Sequence, residues 1–187
     1  MRVISGIRKG HKLVSPKNME IRPTEDRVKE SMFNILGKIT DDTVVLDLFA
    51  GTGGIGIEFL SRGARKAYFV DKSKDAMELI KINISKTRFD DKAILIQKDA
   101  VSSISALEIK ENYYDYIFID PPYKEVDLFH KILKAISISK LINEKTIIII
   151  EHDKELTLNE IYGKIIQTDH RKYGSKCMTY YKLNEVE

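Results

Sequence analysis

The chain has 187 residues, of which 43% are hydrophobic and 32% are charged. This length and apolar content predict one sizeable domain with a short appendage, and they exclude wholesale disorder. No apolar run approaches the roughly 20 residues of a membrane helix, and the lone Cys177 cannot form an internal disulfide. We therefore expect a cytoplasmic protein that is not bound to a membrane.

The N-terminal segment is basic, although the net charge of the whole chain is only +3. Residues 1–18 contain no acid, while the rest of the chain has 26 basic and 28 acidic residues. The basic side chains of the segment are those of Arg2, Arg8, Lys9, Lys12 and Lys17. We predict that residues 1–20 form a basic β appendage with short strands at 2–6 and 11–14, and that it contacts a polyanion. A solvated tail is the alternative.

A helix is predicted to follow, beginning near Thr24. Thr24 can cap the helix, and Glu25 and Asp26 would occupy the first turn, where the helix dipole favours acids. The expected apolar stripe consists of Val28, Met32, Ile35 and Leu36. Gly37 is the expected end of this helix.

Strands and helices then alternate along the chain. Strands are predicted at 44–49, 66–71, 93–97, 116–119 and 146–150, with helices ending near 62 and spanning 73–86 and 127–135. Two further strands, at 164–170 and 176–183, would form a hairpin around Gly174 and Ser175. The pattern predicts an α/β fold with a mostly parallel sheet and one antiparallel strand in the C-terminal hairpin.

A glycine-rich turn follows the first of these strands. Phe49 leads into Gly51, Gly53 and Gly56, at the carboxyl end of a parallel strand where such sheets bind ligands. The glycines also match the dinucleotide-binding pattern, so they do not by themselves distinguish the ligand. Asp47 does, since a carboxylate there would repel a pyrophosphate and attract the ammonium and sulfonium groups of S-adenosylmethionine.

Two more acids follow neighbouring strands. Asp71, 20 residues after Gly51, is placed to accept hydrogen bonds from the ribose hydroxyls of an adenosine. Asp99 and Ala100 follow the third strand and are predicted to contact the adenine. A structural turn is the alternative for each of these sites.

Asp120, Pro121, Pro122 and Tyr123 follow the strand at 116–119. Two prolines make a stiff corner that would project Asp120 and Tyr123 into the cleft beside the glycine-rich turn. An exocyclic base amine is a poor nucleophile and needs acceptors for its N–H groups and a fixed plane. Asp120 and the Pro121 carbonyl are the predicted acceptors, and Tyr123 is predicted to stack on a flipped-out base.

These motifs resemble those of class I amino-methyltransferases. The segments Arg2 to Gly6, Gly10 to Leu13, Arg22 to Asn34 and Tyr173 to Lys182 are similar to those of the small bacterial 16S rRNA guanine-N2 methyltransferases. The resemblance implies a seven-stranded, Rossmann-like methyltransferase domain at 21–187, S-adenosylmethionine as cofactor and a guanine N2 of small-subunit rRNA as target.

Further substrate contacts are predicted from residue type and position. They are Arg22, Thr24 and Arg27 beside the cleft, and Lys172 and Tyr173 at the closing hairpin. The four histidines show no ligand spacing with Cys177, and no metal site is expected.

Three other functions fit parts of the pattern. A DNA adenine-N6 methyltransferase shares the two motifs, but 187 residues leave no room for the target-recognition domain such enzymes use. A nicotinamide-dependent oxidoreductase is disfavoured by Asp47 and by the Asp120 corner. A non-catalytic RNA-binding module would be expected to lack an intact cofactor turn or Asp120, and both are present.

Overall fold

The computed structural model describes residues 1–16, 25–122 and 125–184, which fall into two compact units, Met1–Lys98 and Asp99–Glu187. The predicted boundary between residues 20 and 21 lies outside the described residues. No helix in these three ranges is long and apolar enough to cross a membrane.

The first unit is built around three parallel strands. Its strands are β1 (Val44–Leu48), β2 (Lys66–Asp71) and β3 (Ala93–Gln97), and its helices are α1 (Asp26–Leu36), α2 (Gly54–Ser61) and α3 (Lys74–Thr87). The strands lie in the order β3-β2-β1, and all five residues of β1 are buried. The strands begin and end close to the predicted bounds because each is a continuous apolar run.

The second unit combines parallel and antiparallel strands. Its helices are α4 (Ala100–Leu107) and α5 (Val126–Ser137), and its strands are β4 (Tyr116–Ile119), β5 (Ile147–Asp153), β6 (Ile161–Tyr162), β7 (Ile165–Tyr173) and β8 (Lys176–Leu183). Strand β4 pairs in parallel with β5, whereas β8 runs antiparallel to both β5 and β7. The predicted α/β class and C-terminal hairpin are therefore confirmed.

The prediction of seven strands is wrong, because the described residues form eight. The additional strand, β6, has only two residues and pairs antiparallel with β7. Helix α4 is also absent from the sequence-based prediction. Its sequence, Ala-Val-Ser-Ser-Ile-Ser-Ala-Leu, contains three serines that weaken helix propensity and mask its apolar face.

The start of the chain, here called the N-terminal arm (residues 1–16), differs from the two predicted strands. It contains a single antiparallel bridge between Arg2 and Lys12 and a 3-10 helix at Gly6–Arg8. Val3 and Leu13 are buried, so the arm packs on the unit rather than projecting from it.

Helix α1 also departs from its prediction in detail. Its N-cap is Glu25, without a side-chain hydrogen bond, and Thr24 lies outside the described residues. Val28, Lys29, Met32 and Phe33 form the buried face, whereas Ile35 is 40% exposed. Gly37 ends the helix, as predicted, with φ of 74°.

Candidate active site

The glycine turn (residues 49–53) connects β1 to α2 through an unusual run of backbone conformations. Phe49, Gly51 and Gly53 have φ of 63°, 55° and 76°. Glycine adopts such values without strain, whereas they cost a bulky residue such as Phe49 roughly 1–3 kcal/mol. Two hydrogen bonds hold the turn. The Ala50 N–H donates to the Val70 carbonyl of β2 at 3.0 Å, and the Gly53 N–H donates to the Ala50 carbonyl within the turn at 2.7 Å.

Gly56 allows α2 to pack closely against β2. A Cβ atom at this position would lie 2.3 Å from the Phe69 ring. The third glycine of the pattern is therefore explained by packing, and the first two are explained by the shape of the turn.

Asp71 and the glycine turn are in direct contact. The Gly51 N–H donates to Asp71 Oδ2 at 2.9 Å, and the Ser73 N–H donates to Oδ1 at 2.9 Å. A carboxylate has about four lone-pair positions, so these two bonds fix its orientation and leave acceptor capacity for a pair of hydroxyls. The structure thus brings together two of the predicted cofactor residues in a geometry that suits a ribose.

Asp47 is buried, with 2% of its surface exposed, and accepts a 2.9 Å hydrogen bond from the Gly56 N–H. Burial raises the pKa of Asp47 to about 8, with a smaller contribution from the charge of Asp71, while the bond from Gly56 opposes the shift. The carboxyl group therefore holds the start of α2 and is poised to ionise when a cation binds nearby.

The N-terminal arm is attached to α1 and α2 mainly through its backbone. Glu58, which is fully buried on α2, accepts hydrogen bonds from the N–H groups of Ile4 at 2.8 Å and Ser5 at 3.0 Å. The Ser61 hydroxyl donates to the Ser5 carbonyl at 2.6 Å. Lys29 of α1, 1% exposed, donates to the Arg2 carbonyl at 2.9 Å.

The predicted substrate residues of the arm fall into two groups. Arg8 donates from Nε to the Thr87 carbonyl at 2.6 Å and lies 5.7 Å from the Phe89 ring centroid, which gives it a structural role. Lys9 and Lys12 are exposed, and Arg2, also exposed, pairs with Asp26 at 3.1 Å. The outward charge of the described arm is therefore concentrated on Arg2, Lys9 and Lys12.

The remaining substrate predictions of the first unit concern α1 and the segment before it. Arg27 is exposed on α1. Lys17, Arg22 and Thr24 lie outside the described residues, as does Tyr123 of the second unit.

In the second unit, β4 ends in the proline corner that the sequence predicts. Asp120 is half-buried, Pro121 is buried and Pro122 is exposed. The Pro122 carbonyl accepts a 3.0 Å hydrogen bond from the Glu125 N–H, one residue before α5 begins. This bond and the fixed φ of the prolines hold the corner between β4 and α5.

Asp99 and Ala100 start α4. Asp99 is its N-cap and accepts a 3.0 Å hydrogen bond from the Ser102 N–H, while Ala100 is buried in the first turn. The sequence patterns do not predict this capping role. The contact of Asp99 and Ala100 with the adenine remains a prediction.

The turn of the β7–β8 hairpin lies at the carboxyl end of β5. Tyr173 pairs with Lys176, and Lys176 pairs in turn with Asp153, the last residue of β5. Because β4 runs parallel to β5, the carboxyl ends of both strands lie at the same edge of the sheet. Lys172 and Tyr173 are at this edge, and so is Asp120, which follows β4. Beside them, fully buried Glu151 forms an ion pair with Lys176.

Sequence reasoning missed Glu58 and Asn83, both fully buried polar residues that hold the arm. The sequence of each helix nevertheless contains a pattern from which these residues could have been predicted. Glu58 is the single charged residue of α2, and Asn83 lies on the same face as Ile80 and Ile84. A polar residue on a core-facing stripe is expected to have a specific partner.

In the described part of the chain, no three histidine, cysteine or acidic side chains cluster so as to hold a metal ion.

Comparison with known proteins identifies relatives over nearly the whole chain. The Bacillus subtilis protein named Putative rRNA methyltransferase YlbH is 40% identical over 182 residues, which cover 97% of this chain and 98% of YlbH. The Haemophilus influenzae protein named Ribosomal RNA small subunit methyltransferase D is 31% identical over 161 residues, covering 84% of this chain and 81% of that protein.

A solved structure shares the fold. The Escherichia coli protein yhhF superposes with a TM-score of 0.84 at 24% identity, covering 100% of this chain and 99% of yhhF. The family described as Conserved hypothetical protein 95 matches residues 1–182, and the two relatives named as rRNA methyltransferases confirm the predicted resemblance. The chain therefore belongs to the family described as Conserved hypothetical protein 95.

Proposed function

We propose that this protein transfers a methyl group from S-adenosylmethionine to the exocyclic N2 of a guanine in small-subunit rRNA. The proposal depends most on the Asp120 corner, a half-buried carboxylate followed by a buried proline at the end of a parallel strand. The name of the Haemophilus influenzae relative supports small-subunit rRNA as the substrate.

The first unit supplies the residues that fit the cofactor. Asp71, held by the N–H groups of Gly51 and Ser73, is suited to the ribose hydroxyls of the adenosine. Asp47 lies buried below the same turn, where its ionised form would favour a positively charged ligand. When bound, S-adenosylmethionine would supply an electrophilic methyl group, and the carbon–sulfur bond would break with its electron pair left on sulfur.

Asp120 supplies the main interaction with the target. Its carboxylate accepts a hydrogen bond from the guanine amine, and the Pro121 carbonyl accepts the second. These bonds orient the nitrogen lone pair and favour the positive charge that develops on nitrogen as it gains the methyl group. The amine then loses one proton, which passes by way of the Asp120 carboxylate to water.

Exposed cations of the N-terminal arm and of the β7–β8 hairpin bind the RNA backbone. Lys9, Lys12 and Lys172 present their charges to solvent, and Tyr173 lies beside the hairpin turn. Such contacts fix the position of the RNA without selecting its sequence.

The decisive experiment is methyl transfer from labelled S-adenosylmethionine to small-subunit rRNA from cells that lack this protein. The RNA is offered both free and in assembled particles, and the product is digested to nucleosides. We expect label in N2-methylguanosine. Label in N6-methyladenine, or in DNA offered in parallel, would contradict the proposed target.

The Asp120→Asn variant tests the assigned role of the carboxylate. The variant should lose at least about a hundredfold in turnover while it binds S-adenosylhomocysteine nearly as well as the parent protein. Asp127→Asn, at an exposed position in the first turn of α5, is the matched control and should retain full turnover. Normal turnover by Asp120→Asn would refute the role.

A further inference from the structure

We infer that Asn83 is a positioning residue for the glycine turn and links that turn to the N-terminal arm. The inference deepens the proposed function and rests on it wherever cofactor or RNA binding is invoked. The bonds that carry it lie within the first unit.

Asn83 on α3 is fully buried and joins two segments that are distant in sequence. Its Nδ2 donates to the Thr52 carbonyl at 2.9 Å, and Thr52 belongs to the glycine turn. The same Nδ2 donates to the Val14 carbonyl of the arm at 3.0 Å, and Oδ1 accepts from the Val14 N–H at 2.7 Å.

These three bonds define how the side-chain amide is used. Both hydrogens of Nδ2 are donated, and Oδ1 accepts a bond from the backbone. A flipped amide would direct Oδ1 at two carbonyl oxygens, so the contacts specify a single orientation. Neither aspartate nor leucine could reproduce the set, since the first lacks the donors and the second lacks all polar atoms.

Met1 provides a separate contact between the arm and the turn. The Thr52 hydroxyl lies 3.6 Å from the Met1 sulfur. A Cβ atom at Gly54 would lie 2.8 Å from the same sulfur, so the methionine packs directly on the first residue of α2. The start of the arm therefore covers the end of the glycine turn, independently of Asn83.

The position of Thr52 explains why this link should affect ligand binding. Its carbonyl belongs to the peptide that joins Thr52 to Gly53, and Gly51 and Gly53 on either side have positive φ. The Gly51 N–H orients Asp71. Loss of the Asn83 bond would leave a buried carbonyl unpaired and would loosen the backbone on which Asp71 depends.

The arm also carries Lys9 and Lys12, both of which are exposed. If RNA binds these cations, it stabilises the docked arm, and the docked arm holds Val14 against Asn83. Because such coupling is reciprocal, RNA should strengthen cofactor binding and cofactor should strengthen RNA binding.

The first test measures binding of S-adenosylhomocysteine by calorimetry at a temperature where circular dichroism shows each variant to be folded. Asn83→Ala should weaken binding about tenfold, the loss expected from one buried hydrogen bond. The matched control is Thr87→Val, which removes a buried hydroxyl of α3 whose hydrogen bonds stay within that helix, and it should change affinity by less than about twofold. Unchanged affinity in a folded Asn83→Ala protein would overturn the inference.

Hydrogen exchange on the unaltered protein gives a test that no folding defect can obscure. S-adenosylhomocysteine should slow exchange of the Val14 N–H as well as that of the Gly51 and Gly53 N–H groups. Protection of the turn with no change at Val14 would overturn the link between turn and arm.

RNA provides the last test. Small-subunit rRNA should tighten S-adenosylhomocysteine binding several-fold in the parent protein and leave it unchanged in Asn83→Ala. If RNA has no effect on the parent, the coupling to RNA is refuted. A wrong RNA assignment alone would still leave the calorimetric and exchange effects of Asn83 in place, so the two failures can be told apart.

Discussion

At the scale of single residues, the ionisation of Asp47 is the property with the most direct consequence for binding. Burial raises the pKa of this carboxyl from its ordinary value of 3.8 to about 8, so the group is mostly protonated at neutral pH in the ligand-free protein. A cationic ligand favours the charged form and should drive the proton off. We therefore expect S-adenosylmethionine to bind more tightly as the pH rises from about 6 to 8, with proton release.

Calorimetry in two buffers of different ionisation enthalpy measures this release. The Asp47→Asn variant should release no proton and should lose the pH dependence. Asp75→Asn, at an exposed position in the first turn of α3, should behave like the parent. Equal proton release by parent and Asp47→Asn would contradict the assignment.

The same pKa also predicts how stability depends on pH. Between about pH 4 and 8 the folded protein holds a proton on Asp47 that the unfolded chain has lost. The bound proton therefore favours the folded state. Its contribution to stability is fully present below pH 3.8, the ordinary pKa, and is lost as the pH rises through about 8. Urea unfolding across this range should show a decline in stability that is smaller in Asp47→Asn.

Asp71 should matter to the cofactor more than to the fold. Asp71→Ala removes the predicted acceptor of two ribose hydroxyls and should weaken S-adenosylhomocysteine binding at least about tenfold. Asp75→Ala serves as the control, because its side chain is exposed on the adjacent helix. Calorimetry that gives the same affinity for Asp71→Ala and the parent would remove Asp71 from the site.

At the scale of elements, the N-terminal arm depends on one glycine in particular. Gly6 has φ of 82°, and a Cβ atom there would lie 1.8 Å from the Ser61 carbonyl oxygen. Gly10 has nearly the same φ, 85°, but its Cβ would meet nothing within 4 Å. An alanine at Gly10 would therefore introduce backbone strain alone, whereas an alanine at Gly6 would introduce the same strain together with a steric overlap.

Urea unfolding of the two alanine variants should show this difference. Gly10→Ala should lower the free energy of unfolding by about 1–2 kcal/mol, the strain of a left-handed conformation in an L-residue. Gly6→Ala should lower it by about 3 kcal/mol or more, because the overlap forces the arm off α2. A similar decrease in the free energy of unfolding in both variants would mean that the arm relieves the overlap at Gly6 by a small shift at little cost.

The same elements show what a sequence can and cannot reveal. Strands β1 to β4 are predicted closely because each is a largely apolar run, whereas β5 continues three residues beyond its predicted end at residue 150, to Asp153. The bond between Asp71 and Gly51 follows from the position of each at the end of a parallel strand. The sequence also supports the proline corner, since proline restricts the backbone wherever it occurs.

Other features depend on contacts between distant residues and leave little trace in local patterns. The arm alternates weakly, which favours two strands, whereas its backbone groups bind Glu58 and Asn83. The charge of Arg8 favours a substrate contact, although its side chain binds Thr87 and packs on Phe89. The pKa of Asp47 is set by burial that only the folded structure defines.

At the scale of the whole molecule, a basic arm accompanies a body that is close to neutral. Deleting the arm is a poor test of RNA binding, because it would uncover the core beneath Val3 and Leu13 and remove the backbone partners of Glu58. Substitution of its outward lysines avoids that damage.

The variant Lys9→Gln/Lys12→Gln should keep the stability of the parent and bind small-subunit rRNA less tightly at low salt. The slope of log affinity against log salt concentration should fall by about 1 for each phosphate that the arm no longer neutralises. Lys110→Gln/Lys140→Gln, an equal change of charge at two exposed sites of the second unit, is the comparison. An identical slope in both double variants would exclude a specific role for the arm.

The arm is held mainly by its main chain, through the amides and carbonyls of residues 2, 4, 5, 8 and 14. Bonds of this kind do not depend on which side chains those residues carry. The outward side chains of the arm can therefore change during evolution, and the preference of the arm for one RNA surface over another can change with them. Glu58, Ser61 and Asn83 would still hold the arm in place. Arms exchanged between relatives that preserve these three positions, and that keep Gly6 and the buried Val3 and Leu13 in the arm, should dock on the host protein and bring the donor's RNA preference with them.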